Sequence, residues 1–341
     1  MLAPLRSRAT ASLSKRRACA SIAQARRLSS TPTVINPSKP ETAGGALESR
    51  NLEKVVSAIH RDGLVVVEDV VPHDILDHLN KKMVEDARTL QARGEDGPFN
   101  YNLGNLQLDA PPVAEYFNPA IFANPIATQI TSAVLGPRPK WTFCSANAAM
   151  PPLPGASPSR QPVHSDADFQ HLDHPFALVI NIPLIAMTAE NGATELWLGT
   201  HRGGADAQEG AHGERASGRI RAERLAARRA ERPPCQPGVR KGSIVVRDLR
   251  LWHAGMPNAS AAGEVRVMLA MIHFAPWYRN PMRLQFAEDV RPVLEAALDR
   301  DGDGRLGRQL EVPADWVSRE EALATYLNRG FGNSYDFNQT P

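Results

Sequence analysis

Val163-His164-Ser165-Asp166 places an imidazole and a carboxylate two residues apart. On a β-strand, positions i and i+2 project from the same face, so both side chains can reach one metal ion. An imidazole nitrogen and a carboxylate oxygen suit Fe(II), but a third ligand is needed. The best third is His253, in Arg250-Leu251-Trp252-His253-Ala254-Gly255, directly after the β-branched run within Gly242–Arg247. Two histidines and one carboxylate occupy a single face of an octahedron. Three positions are then left for a bidentate 2-oxo acid and for O2, which is why this set suits oxygenases. A keto acid that chelates iron also carries a distal carboxylate that needs a cation. Arg266 opens the apolar stretch Val265–Phe274, and its planar fork can pair with a carboxylate through two parallel hydrogen bonds.

Other residues compete for these roles. His171 and His174 follow the His-x-Asp closely and are alternative ligands, although a place at the mouth of the site or in solvent accounts for them more simply. His273 alternates onto the opposite face from Arg266 and is expected to pack. Asp299-Arg300-Asp301-Gly302-Asp303-Gly304 resembles the start of a calcium loop. Its twelfth position is Leu310 where a bidentate Glu is required, so it reads as an acidic turn. No Gly-x-Ser-x-Gly or Cys/His nucleophile arrangement stands out.

The elements that must carry the metal ligands are short strands. Helical spacing covers Val55 and Ile59, then His73 to Thr89, and a third helix is expected over Ala114–Leu135. Between them lie the strand Leu64–Val67 and a polar segment from Gly94 to Pro112 that reads as a loop. After Pro137 the texture changes, with strands expected at Trp141–Ala148, Pro162–Asp168, Ala177–Ile185, Thr194–Leu198, Gly242–Arg247 and Val265–Phe274. Many short strands in succession indicate a mainly β sandwich or barrel with flanking helices.

Composition sets the frame. The chain has 341 residues, a formal net charge of +2 and 42% hydrophobic residues, so nothing global points to a nucleic-acid partner. Cys19, Cys144 and Cys235 are too scattered for a disulfide framework or a zinc–thiolate site. No apolar run is long enough to span a bilayer. Residues 1–40 contain no Asp or Glu and are rich in Arg, Ser and Ala, the composition of a mitochondrial transit peptide; a disordered basic tail on a cytoplasmic protein is the alternative. Structure is expected to begin near Asn51, and residues 50–341 to form the main domain. An insertion at 203–237 breaks the strand pattern, with Arg219–Arg232 expected as a charged helix facing solvent. A nucleic-acid-binding module there is the less favoured reading, because Glu209, Glu214, Glu223 and Glu231 interleave the arginines.

Over residues 50–285 the chain resembles the phytanoyl-CoA dioxygenase family of Fe(II)/2-oxoglutarate oxygenases. The resemblance rests on Asp62-Gly63-Leu64-Val65-Val66-Val67, the Gln161/His164/Asp166 cluster, Glu190-Asn191-Gly192-Ala193-Thr194, Leu198-Gly199-Thr200-His201, Lys241-Gly242-Ser243, Trp252-His253-Ala254-Gly255 and Arg266. Its closing segment, from Trp277-Tyr278-Arg279-Asn280-Pro281 onward, is most similar to fungal members. The resemblance implies a double-stranded β-helix, a jelly-roll or cupin-like core. It further implies iron on His164, Asp166 and His253, and 2-oxoglutarate on Arg266, with Gln161 and Thr194 as further co-substrate contacts. His201 is placed in a turn away from the metal. The expected reaction hydroxylates or desaturates a small organic substrate with O2, releasing succinate and CO2. A non-catalytic ligand-binding barrel of the same fold is the alternative. The insertion would be a lid or a contact between two copies of the chain in a homodimer. Tyr101, Asn102 and Trp277 are the proposed pocket residues.

Overall fold

A computed structural model of the chain describes residues 30–152, 155, 157, 159–167, 174–210, 218–299 and 309–329. Ordered structure begins earlier than the composition suggested. Strand β1 (Thr33–Ile35) and helix α1 (Lys39–Gly44) precede helix α2 (Ser49–Asp62), in the stretch expected to be tail and linker. Ser38 and Glu41 form a reciprocal capping box on α1, a local signal that overall composition hides. The expected presequence lies mostly in residues 1–29, outside the described residues.

Gly63 turns α2 into strand β2 (Leu64–Val67) with a φ of 76°, and a Cβ there would sit 2.5 Å from His201 Nδ1. Only glycine satisfies both conditions. Helix α3 (His73–Gln91) buries Leu76, Leu79, Met83 and Leu90. The expected loop at 94–112 instead holds strands β3 (Phe99–Asn100) and β4 (Asn102–Leu108), whose Asn and Gly residues disguise the alternation. The helix expected over 114–135 is split into α4 (Pro119–Phe122) and α5 (Pro125–Leu135). Asn124 caps α5 by accepting from the Ile126 and Ala127 N–H groups, and Pro125 cannot extend α4.

The core strands follow: β5 (Lys140–Ala149), β6 (Ala177–Pro183), β7 (Glu195–Leu196), β8 (Ile244–Asp248), β9 (His253–Ala254) and β10 (Arg266–Phe274), with helix α6 (Ala222–Glu231) between β7 and β8. Strands β11 (Leu284–Ala287) and β12 (Ala314–Val317), and helices α7 (Arg291–Asp299) and α8 (Arg319–Thr325), complete the described chain.

The large sheet runs β1-β2-β8-β6-β10-β5-β4-β3 and is antiparallel except for the β1–β2 pair. Facing it, β7 and β9 form the centre of a second layer. Leu196 bridges His253 and Cys235, His164 bridges His253 and Arg219, and Ile220 bridges Gln208. On β10, Val267, Leu269 and Met271 pack into the cluster that holds Leu76, Met83 and Ile130, while Met268 packs with Leu196 and Leu198 of the second layer. Arg266 shares the inward face with Met268. The architecture is a sheet-rich jelly-roll core with flanking helices.

The insertion is part of this second layer. Ser165 N–H donates to Gly218 O and Ile220 N–H to Val163 O, both at 2.9 Å, so residues 218–220 form the edge beside the His-x-Asp strand. Helix α6 is shorter than expected and rests on that layer. Leu225 packs with Val163, Trp197, Ile220 and Trp252, and the Arg229 guanidinium lies 5.0 Å from the Trp197 ring centroid. Arg228 Nη2 donates to Leu198 O at 2.5 Å, and Arg232 pairs with buried Asp62 at 2.9 Å. Among the described residues no helix is long and apolar enough to cross a membrane.

Candidate metal centre

His164 and His253 sit side by side on neighbouring extended segments, joined by reciprocal backbone hydrogen bonds of 2.9 Å, with ring centroids 4.4 Å apart. Each Nδ1 lies 2.9 Å from the carbonyl two residues earlier, Pro162 O for His164 and Leu251 O for His253. A carbonyl can only accept, so each Nδ1 carries the proton and each Nε2 is left with a lone pair. Those Nε2 atoms face Asp166, at 3.4 Å from Oδ1 for His164 and 3.5 Å from Oδ2 for His253. The three ligand atoms all lie within 4.8 Å of one another, so one ion can touch all of them. Burial, then Arg247, hold His253 down to a pKa of about 3, which keeps the imidazole neutral as a ligand must be. Burial works to raise the Asp166 carboxyl, yet His253 and Arg247 together hold it well below the usual range.

Arg247 was not singled out from the sequence. It lies on β8, buried, with Nε donating to Asn181 Oδ1 at 3.1 Å and Nη2 to Asp166 Oδ2 at 2.5 Å. Its Nη1 is buried with no hydrogen-bond partner. In Val246-Arg247-Asp248 the pair Arg-Asp reads as a solvated strand end. Only the placing of β8 between β2 and β6 turns Arg247 inward, so no local signal could have found it.

Arg266 is 2% exposed. Nη2 donates to Gly192 O at 2.7 Å and Nη1 to Asn147 O at 3.3 Å, while Nε is buried without a partner. Burial pulls its pKa down to about 10 with no carboxylate acting against it. Such a buried cation, met only by carbonyl dipoles, fits an anionic ligand. The Glu190-Asn191-Gly192 turn exists to hold it. Gly192 adopts a φ of 86°, and a Cβ there would lie 2.6 Å from Met256 O. Asn191 ties the turn by accepting from Thr188 N–H and donating to Ala186 O, both at 2.8 Å.

Gln161 is buried next to the ligands, but its contacts are to backbone. Oε1 accepts from Gly255 N–H at 2.7 Å and Nε2 donates to Asn100 O at 3.3 Å, which ties the extended His-x-Asp segment to the residues after β9 and to β3. Thr194 is half-buried, two residues beyond the carbonyl that holds Arg266. Tyr101 has a φ of 71°, and its ring centroid is 5.0 Å from that of His164. Trp277 lies beyond the end of β10 remote from Arg266, so it does not line the metal site. His174 is exposed just before β6, at that same remote end, where Ala177 pairs with Phe274. His171 and most of the acidic turn at 299–304 lie outside the described residues. His273 points the other way from Arg266 and bonds Thr131 of α5 at 3.0 Å, and His201 is buried beneath Gly63.

The model of the family described as phytanoyl-CoA dioxygenase (PhyH) matches residues 59–267, a span that contains both histidines, Asp166, Arg247 and Arg266. Among solved structures, the epimerase SnoN in complex with Fe3+, alpha ketoglutarate and nogalamycin RO shares the fold. Its TM-score is 0.51 at 18% identity, over 67% of this chain and 84% of that one. AviO1 from Streptomyces viridochromogenes Tue57 gives 0.49 at 19% identity, over 66% and 95%. EctD from S. alaskensis, with 2-oxoglutarate and 5-hydroxyectoine, gives 0.44 at 18%, over 67% and 76%.

Proposed function

The chain belongs to the phytanoyl-CoA dioxygenase (PhyH) family, and on that premise we propose that it is an Fe(II)/2-oxoglutarate-dependent oxygenase acting on a small organic molecule. The observation that carries this reading is the meeting of His164, Asp166 and His253 within 4.8 Å of one another, in a core that also buries Arg266, whose Nε has no partner. Two neutral imidazoles and one carboxylate suit Fe(II) and leave three positions on it open. His164, Asp166 and His253 would hold the metal, and Arg266 would anchor the distal carboxylate of the keto acid through its fork.

Bound iron with 2-oxoglutarate and O2 supplies the oxidising power for attack on a C–H bond, with succinate and CO2 as products. The chain's own residues bind and orient. Gly192 O and Asn147 O aim the Arg266 guanidinium, Pro162 O and Leu251 O fix the imidazole tautomers, and Gln161 locks the two ligand strands together. Hydroxylation or desaturation is the expected outcome.

Purified protein given Fe(II), ascorbate and 2-oxoglutarate should release succinate slowly without any added substrate, and His253→Ala should abolish the release. Equal release from wild type and variant, or none from wild type, contradicts the reading. The acid-free, Arg-rich N-terminus supports import into mitochondria. Residues 1–40 fused to a reporter should send it there, and a cytosolic reporter contradicts this.

A further inference from the structure

Two buried guanidinium groups enter the space between the sheets, and the keto acid accounts for only one of them. Arg266 is positioned for the distal carboxylate. Arg247 is 5% exposed; two of its nitrogens are held by Asn181 and Asp166, and its third, Nη1, is buried without a partner. Because the guanidinium is rigid and planar, Nη1 is fixed beside the nitrogen that grips Asp166, next to the metal ligands.

Formal charge sharpens the point. A divalent metal, the Asp166 carboxylate, the Arg247 and Arg266 cations and a doubly charged keto acid leave one positive charge in excess. Asp248, the carboxylate next to Arg247 in sequence, is engaged by Arg250. An uncompensated charge in a buried site is costly, so the molecule that completes the site should bring a negative one. The rim has the same sign. Arg219 is exposed, and its guanidinium lies 5.5 Å from the centroid of the Tyr101 ring, which leans on His164. Tyr101 adopts a left-handed backbone with a φ of 71°.

We propose that the molecule oxidised is an anion, with a carboxylate or similar oxyanion received by Arg247 Nη1 after passing Arg219 at the rim. The proposal rests on the oxygenase reading above and narrows its substrate class. Arg247 would thereby set specificity while also holding Asp166 through Oδ2.

The test uses anaerobic protein loaded with Fe(II) and 2-oxoglutarate, followed through its visible charge-transfer absorption and by calorimetry. Acetate and acetamide serve as probes, since they match in shape, differ in charge and are small enough to enter any pocket. Acetate should bind at least about tenfold more tightly than acetamide. Arg247→Gln should weaken acetate about ten- to a hundredfold, and weaken 2-oxoglutarate less. Arg247→Lys should keep part of the acetate affinity. Arg219→Gln, on the surface and safe for folding, should weaken acetate a few-fold at low salt and less at high salt. Equal affinity for acetate and acetamide overturns the proposal. So does an Arg247→Gln effect that falls on 2-oxoglutarate and spares acetate, or an Arg219→Gln protein indistinguishable from wild type. If the wild type shows no charge-transfer band at all, the oxygenase reading itself fails. A normal band without preference for acetate removes this inference alone.

Discussion

Arg266 and Gly192 act as one unit, because a carbonyl held in place by a left-handed turn aims the guanidinium that the keto acid needs. Arg266→Lys keeps the charge and loses the fork. It should raise the KM for 2-oxoglutarate about ten- to a hundredfold while moving kcat less, and an unchanged KM would contradict the assigned role. Gly192→Ala must push against Met256 O and leave its positive φ. It should weaken 2-oxoglutarate in the same direction even though its side chain touches no ligand; an affinity equal to wild type would show that the turn does not set the arginine. The strand expected over Pro162–Asp168 is an extended segment bridged at His164, which still brings His164 and Asp166 together. His164, Asp166, His253 and Arg266 were legible in the sequence from their spacing and from an arginine opening strand β10. Arg247 was not, because its meaning depends on which strands flank it. Gln161 was noticed for its spacing, but its backbone contacts are visible only once the two ligand strands lie side by side.

Strand β9 and an extended segment beside it deliver the ligands, and the insertion braces them. The His-x-Asp segment has His253 on one side and residues 218–220 on the other, so neither edge of it is left open. Helix α6 is pinned over this layer through Arg232, 4% exposed, against Asp62, 1% exposed. Arg232→Ala would remove one of the two cations on buried Asp62, leaving the half-exposed Arg61, and should cost about 1–3 kcal/mol, read as a lower midpoint in chemical denaturation. A midpoint within error of wild type would mean that the brace contributes nothing. At this scale the sequence was legible where apolar runs were β-branched and continuous, as in β2, β6 and β10. It was misleading at β3 and β4, whose asparagines and glycines read as loop, and at 114–135, where an apolar run hides the cap at Asn124. The arginine-rich stretch is a charged helix with no buried residue, as its composition indicated; what composition cannot reveal is that Arg228, Arg229 and Arg232 reach Leu198, Trp197 and Asp62.

Across the whole molecule, the helix-then-strand order anticipated a two-layer β core with helices on the outside, and the site lies between the layers, remote from Asp109. That carboxyl is buried beside Phe117, Phe122 and Cys144, and burial lifts its pKa to about 6 despite Arg329 at 3.5 Å. A carboxyl raised in the folded state destabilises it once ionised, so stability should fall as pH rises from about 4 through about 6. Asp109→Asn removes the ionisation. Relative to wild type it should gain on the order of 3 kcal/mol between pH 4 and pH 8; a pH-independent difference in denaturation would contradict this. The metal underlies every role assigned above, and it can be followed by anaerobic titration with Fe(II) in the presence of 2-oxoglutarate. One iron per chain and a visible charge-transfer band are expected in the wild type, both lost in His164→Ala and Asp166→Ala, with the iron kept but the band weakened in Arg266→Gln. Iron binding that persists undiminished in His164→Ala and Asp166→Ala would contradict this assignment.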